Sequence, residues 1–186
     1  MTSRTGLIAE YLFDDRASDS SGHAHHGVGH GAVPTAGRFN RPGRALRFDG
    51  TDDYVVVSPP PSLGAAFSLS VWARYDVAPD SGWSNCIICQ DDGNDDDQSR
   101  RVFQLSTFGP NIVWHRMCQA RDLIVKKRVR SGTWYHVAVA VSGRMHRLYV
   151  DGIEEDSREY DWCTHAAQPL HVGRKGPAEN NFDRAG

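Results

Sequence analysis

The stretch Trp134-Tyr135-His136-Val137-Ala138-Val139-Ala140-Val141-Ser142-Gly143-Arg144-Met145-His146-Arg147-Leu148-Tyr149-Val150-Asp151-Gly152 decides how this chain folds. Tyr135, Val137, Val139 and Val141 fall on one face of an extended segment and Trp134, His136, Ala138 and Ala140 on the other, the period of two of a half-buried strand. Ser142-Gly143 ends that run and Arg144 to Val150 supplies a second strand. Asp151-Gly152 then predicts a hairpin turn into a third, because both central positions of a type I′ turn favour positive φ. Working outward, Phe67, Leu69, Val71, Ala73 and Tyr75 alternate with Ser68, Ser70, Trp72 and Arg74 in the same way. Further strands are expected from Leu7 to Phe13, Arg44 to Asp49, Tyr54 to Val57, Asn85 to Gln90, Arg101 to Ser106, Asn111 to Met117, Leu123 to Lys126 and Pro169 to Gly173. Gly, Pro, Asn, Asp and Ser punctuate the gaps. No stretch keeps helical periodicity for three turns, which disfavours parallel α/β folds with their dinucleotide and P-loop sites. Many short strands between turn signals predict an all-β, two-sheet antiparallel β-sandwich of the jelly-roll kind. Two long irregular segments, Asp14 to Gly43 and Asp91 to Arg100, are where function is expected to sit.

With 186 residues the chain has the size of one domain. A formal net charge of -2 provides no basic field to draw it onto nucleic acid, so nucleic-acid binding is not expected. Membrane insertion is not expected either: no apolar run approaches the roughly 20 residues a spanning helix needs, and the opening Met1 to Gly6 leads into a strand-like segment rather than a signal-peptide core. Of the four cysteines, Cys86 and Cys89 have the spacing of a redox or zinc pair, while Cys118 and Cys163 stand alone. In an extended strand Cys86 and Cys89 would point to opposite faces, so the expectation is ordinary small apolar residues.

Five segments carry a resemblance. They are Gly6-Leu7-Ile8-Ala9-Glu10-Tyr11-Leu12-Phe13-Asp14 with the loop Asp19 to Gly27, Ala45-Leu46-Arg47-Phe48-Asp49-Gly50-Thr51-Asp52-Asp53-Tyr54-Val55, Phe67 to Ala73, Thr133 to Val139, and Leu148-Tyr149-Val150-Asp151-Gly152. In this order they resemble the laminin-G-like family of concanavalin A-type jelly rolls, found as accessory modules in many bacterial proteins. The resemblance implies one sandwich domain over residues 1–186 that recognises a ligand without catalysis, carbohydrate being the favoured class. It leaves a protein-interaction or adhesion module as the alternative, because laminin and neurexin domains use the same sandwich rim, and it suggests a secreted or cell-surface setting within a larger protein. The family's closing strand, which carries an acidic residue and an aromatic and pairs beside the first strand, has no match. The chain stops at Asn180 to Gly186, so either the sequence is truncated there or Leu7 to Phe13 has an open edge that invites pairing with another chain.

The ligand-binding candidates are Trp83, Trp114, Arg116 and Trp162, since an indole is a good platform for the apolar face of a sugar. For metal, Asp91-Asp92-Gly93-Asn94-Asp95-Asp96-Asp97 concentrates six oxygen-bearing side chains in seven residues. Calcium takes six to eight hard oxygen ligands, so Asp91, Asp92, Asn94 and Asp95 are expected to hold Ca2+ or lie beside it. Asp19 is a second candidate through the family's structural calcium. Glu154-Glu155-Asp156-Ser157-Arg158-Glu159 matches E-x-D-x-x-E, the signature of laminarinase-like glycoside hydrolases of the same broad fold. If alternate strand residues put Glu154 and Asp156 on one face, retaining hydrolysis using Glu154 and Glu159 would follow. Its position just after a hairpin turn favours a solvated charge run instead. His23, His25, His26 and His30 read as polar loop residues in preference to a metal site, and the basic runs at 99–101 and 126–130 as solvated loop edges.

Overall fold

A computed structural model describes residues 4–14, 17–91, 101–116, 121–160 and 168–176. Its strands are β1 (Gly27–His30), β2 (Val33–Thr35), β3 (Ala45–Arg47), β4 (Tyr54–Val57), β5 (Ala66–Arg74), β6 (Trp83–Asp91), β7 (Arg101–Phe108), β8 (Asn111–Arg116), β9 (Leu123–Arg128), β10 (Trp134–Ser142), β11 (Met145–Val150), β12 (Ile153–Glu159) and β13 (Leu170–Val172). A seven-stranded sheet in the order β1-β4-β13-β6-β7-β8-β9 packs on a four-stranded sheet ordered β12-β11-β10-β5, and β2 pairs with β3 beside them. Neighbouring strands are antiparallel throughout. Among the described residues no helix is long and apolar enough to cross a membrane.

The alternation that opens the sequence analysis sets the core. Val137 sits opposite Val71 of β5 and Val150 of β11, so three strands turn apolar side chains the same way. Tyr135, Val137, Val139 and Leu148 of the smaller sheet are buried against Phe103, Leu105 and Trp114 of the larger. The two sheets are also tied by a buried polar link: Trp114 Nε1–H donates to His146 Nδ1 at 3.1 Å, and the His146 ring meets Tyr160 edge-on at 4.8 Å. Burial, with a smaller contribution from the charge of Arg116, lowers the His146 pKa to about 4, which keeps Nδ1 available as an acceptor.

Four expectations change. Leu7 to Phe13 is not a strand; its one ladder contact is an isolated bridge between Tyr11 and Asp19. The physical reason is that Asp19 captures the Glu10 N–H with its side chain, which diverts this backbone from a ladder. Among the described residues it is β1, and not Leu7 to Phe13, that lies at this end of the larger sheet. The irregular segment from Asp14 to Gly43 contains β1 and β2, both short and partly built from Gly and Pro, which hid them from a reading by alternation. Finally, Cys86 and Cys89 do not diverge. The register slips between Ser84 and Ile88, Asn85 adopts φ 48°, and the two buried thiols meet in a hydrogen bond.

Unfolded histidine protonates near pH 6.5 and His146 in the fold only near 4, so acid loads protons onto the unfolded chain first. The stabilising contribution of neutral His146 is complete above pH 6.5 and is lost as pH falls toward 4. The thermal midpoint should drop over that window, and His146→Gln, which retains an acceptor and cannot titrate there, should flatten the drop. Parallel pH profiles for the two proteins would show that the link does not titrate.

Candidate ligand-binding surface

Tight turns place the surface. Gly82 and Gly109 both have positive φ, and Gly109 N–H donates to Gly82 O at 2.7 Å, which aligns the start of β6 with the end of β7. Trp83 and Phe108 are consequently register partners, on the face of the large sheet that looks away from the core, with 36% and 49% of their surface exposed. Their rings lie 5.3 Å apart, and Trp83 meets the His115 ring of β8 edge-on at 5.2 Å. His115 Nδ1 in turn bonds Asp122 Oδ1 at 2.5 Å. An exposed apolar platform thus borders a half-buried imidazole–carboxylate pair, a combination that can stack on a ring and hydrogen-bond its hydroxyls.

From His115 a polar row crosses the same face through Gln104 and Cys89 to His171, each the register partner of the next. Gln104, Cys89 and His171 are buried, and His171 Nδ1 and the nearby Ser106 Oγ have no hydrogen-bond partner. Burial alone would raise the Cys89 pKa, but hydrogen bonds from Cys86 and His171, with the imidazole charge, bring it below the usual thiol range.

The other tryptophans take different roles. Trp114 is 0% exposed, its ring stacked on Phe103 and its N–H spent on His146, so it is a core residue and no sugar platform. Arg116 is also withdrawn from the surface: it lies on the core-facing side with Phe103, is buried, and donates from Nη1 to Val102 O at 2.8 Å. Trp162 lies outside the described residues. Trp72, on the face of β5 that alternates with Leu69 and Val71, is 44% exposed on the outer side of the smaller sheet. The Arg38 guanidinium already covers its ring at 4.0 Å, whereas the aromatic neighbours of Trp83 are tilted or edge-on.

The charged motifs are also redistributed. Between Leu148 and Tyr149 the pairing of β11 with β12 shifts, so that Glu154 opposes Tyr149 and Asp156 opposes Leu148. Glu155 is the additional residue, and Glu154 and Asp156 point to opposite faces. Glu154 accepts from Tyr149 Oη at 3.2 Å, while Asp156 Oδ2 accepts the Ile124 N–H at 3.1 Å and bridges β12 to β9. Glu159 opposes Met145, four residues along β11 from the partner of Glu154, a separation of roughly 14 Å at strand rise. Glycoside hydrolysis needs two carboxyls flanking one bond, and the bulge works against that arrangement by turning Glu154 and Asp156 to opposite faces.

Asp19 organises the histidine loop. Its Oδ1 accepts from Glu10 and Ser21 N–H, and its Oδ2 from Ser21 Oγ and His25 N–H, at 2.8 to 3.0 Å. All four acceptor positions are taken by the chain itself. Asp19 N–H donates to His26 Nδ1 and His30 stacks on Tyr54, so these histidines are spread through a hydrogen-bonded loop. Asp91 ends β6, fully buried, in register with Arg101, while Asp92, Asn94 and Asp95 lie outside the described residues. The group that can hold a metal among the described residues is one that strand patterning did not single out. Asp49, Asp52 and Asp53 in the β3–β4 turn bring one oxygen each within 4.8 Å of the others. Asp49 Oδ1 accepts from Thr51 N–H at 2.7 Å and Asp53 Oδ2 from Asp49 N–H at 2.9 Å, which leaves carboxylate oxygens for a hard cation.

A family model for the concanavalin A-like lectin/glucanases superfamily matches residues 49–184. The chain belongs to that superfamily. Among solved structures, this superfamily member is similar to domain 4 of a GH43 extracellular arabinanase from Geobacillus stearothermophilus, determined in complex with arabinotriose. The TM-score is 0.66 at 17% identity, over 94% of this chain and 86% of that one. It is also similar to the receptor binding domain of botulinum neurotoxin type G, with a TM-score of 0.64 at 14% identity over 94% of this chain and 44% of that one. At these identities the similarity is one of fold.

Burial would raise the Asp19 carboxyl, but its backbone bonds from Glu10 and Ser21, the Ser21 hydroxyl and the His25 backbone hold it at about 2 against an ordinary 3.8. The stabilisation is therefore present above pH 3.8 and lost as pH falls toward 2. Asp19→Asn should lower the thermal midpoint at neutral pH, by an amount that shrinks between pH 4 and pH 2. A constant difference down to pH 2 would mean that the charge contributes nothing.

Proposed function

We propose that this domain is a non-catalytic recognition module whose ligand is a carbohydrate, seated on Trp83 and Phe108 with hydroxyls turned toward His115 and Asp122. The observation that carries the reading is the exposed Trp83 ring beside the His115–Asp122 pair. Sugar rings present C–H faces that stack on indole and hydroxyl edges that need paired donors and acceptors, and this surface offers both within one cross-strand neighbourhood. The shared fold with an arabinanase domain that carries arabinotriose supports the same class of ligand. The separation of Glu154 from Glu159 favours binding over hydrolysis. Isothermal titration with arabino-oligosaccharides, preceded by a glycan array to choose the sugar, tests the reading. Trp83→Ala should weaken binding about tenfold, equivalent to about 1.4 kcal/mol, with the thermal midpoint little changed. Silence across neutral and acidic glycans would transfer the domain to the protein-interaction class; binding unaffected by Trp83→Ala would move the site elsewhere on the domain.

Calcium assists this module through the Asp49, Asp52 and Asp53 turn, with the acidic run Asp91, Asp92, Asn94 and Asp95 as the second place for the ion. The fit rests on donor chemistry, three carboxylates converging on one small volume with oxygens to spare. A hundredfold excess of calcium over its dissociation constant stabilises a native-only site by about 2.7 kcal/mol. Millimolar calcium against chelator should therefore raise the thermal midpoint of the wild type. The rise should vanish either in Asp49→Ala with Asp53→Ala or in Asp92→Ala with Asp95→Ala, which assigns the site. No rise in wild type removes calcium from the account.

A further inference from the structure

β6 carries a motif that the sugar surface does not use. From Ser84 to Ile88 its register advances four residues while its partner β7 moves only from Thr107 to Leu105. Two extra residues are folded into this stretch, with Asn85 at φ 48° taking up the turn. Four residues therefore cover about 7 Å of strand axis where a regular strand would need about 14 Å. Cys86 lies inside the shortened stretch and Cys89 just beyond it. Their separation along the axis falls from about 10 Å to roughly 7 Å, which is the reach of a disulfide. The two thiols, both 0% exposed, already meet in a hydrogen bond.

The surroundings favour ionisation at Cys89. Burial alone would raise this thiol, but hydrogen bonds from Cys86, from His171, its register partner on β13, and from the Gly176 backbone together bring it below the usual thiol range. A sulfur inclined to the thiolate, in contact with a second thiol, is the arrangement that thiol–disulfide exchange requires. Access to it is governed by a short cover. Cys89 Sγ donates to Arg174 O at 3.3 Å, so the segment Arg174 to Gly176 lies over the sulfur. This segment is outside the named strands and follows Gly173, whose φ is positive. Segments of this kind open locally while the sheet behind them stays paired.

We propose that Cys86 and Cys89 form a redox pair that closes to a disulfide by exchange with an external disulfide. Glutathione disulfide is the probe. When the cover opens, the Cys89 thiolate attacks one sulfur of the probe, the S–S bond of the probe breaks, and the departing thiolate takes up a proton. Cys86 then gives up its proton and attacks the Cys89 sulfur of the mixed disulfide, which forms the Cys86–Cys89 bond and expels the second glutathione thiol. Two cysteines are oxidised and one glutathione disulfide is reduced to two thiols. The proposal is independent of the carbohydrate reading. To test it, wild-type protein is equilibrated across a series of glutathione thiol-to-disulfide ratios, once folded and once in concentrated urea, and the remaining thiols are alkylated. Trypsin cuts after Arg74 and Arg100 and nowhere between, so both sulfurs fall in the peptide 75–100, apart from Cys118 and Cys163. Because the fold holds the sulfurs together, the constant for closing the link, read from the peptide that is lighter by two hydrogens, should be about tenfold greater in the folded protein than in urea, equivalent to about 30 mV. The proposal is overturned if the constant is equal or smaller in the folded protein, if peptide 75–100 remains fully alkylated or carries glutathione in place of the internal link, or if either sulfur links to Cys118 or Cys163 instead.

Discussion

Register is the constraint on which the remainder of this molecule depends. Val137 is held between Val71 and Val150, and because strand side chains alternate strictly, a slip of one residue would turn Tyr135, Val137, Val139 and Val141 to solvent and bury Trp134, His136, Ala138 and Ala140. The turns enforce the register from both ends. Gly143 and the pair Asp151 and Gly152 adopt positive φ, and the Asp151 N–H donates to His136 O while its side chain accepts the His136 N–H. With the small sheet fixed in this way, Leu148 and His146 reach the opposite sheet at one height only, and Trp114 finds its acceptor there.

Where the alternation breaks, the chemistry changes. The slip between Ser84 and Ile88 brings Cys86 to Cys89, and the extra residue Glu155 takes Glu154 and Asp156 to opposite faces. Both follow from bulges that place two residues or more opposite one. A bulge leaves only a faint trace in a single sequence, since its cost is spread over backbone torsions and partner strands. The CxxC spacing and the E-x-D-x-x-E match were therefore legible as patterns, while the geometry each would need was not.

Carboxylates illustrate the same divide. Asp19 and Asp53 are chemically alike, yet Asp19 spends its oxygens on the chain and Asp53 faces two other carboxylates across a turn. Counting acidic residues directs attention to the densest run, whereas a cation responds to oxygens that converge and remain unclaimed. The tryptophans divide by burial in the same manner. Trp83 and Trp114 both sit in strands of the larger sheet, and their opposite fates are set by which face each strand position presents.

By itself the sequence determined the sandwich: period-two alternation of apolar residues and glycine- or asparagine-bearing turns are local properties, and they named most strands within a few residues. It also determined the hairpin at Asp151-Gly152. Only the tertiary structure decided that Trp114 and Arg116 face the core, that Leu7 to Phe13 is held by Asp19 instead of a ladder, and that Phe108, His115 and Asp122 assemble around Trp83. The reason is that these outcomes depend on pairs of residues far apart in the chain, and their register and burial arise only when the strands that carry them are laid side by side.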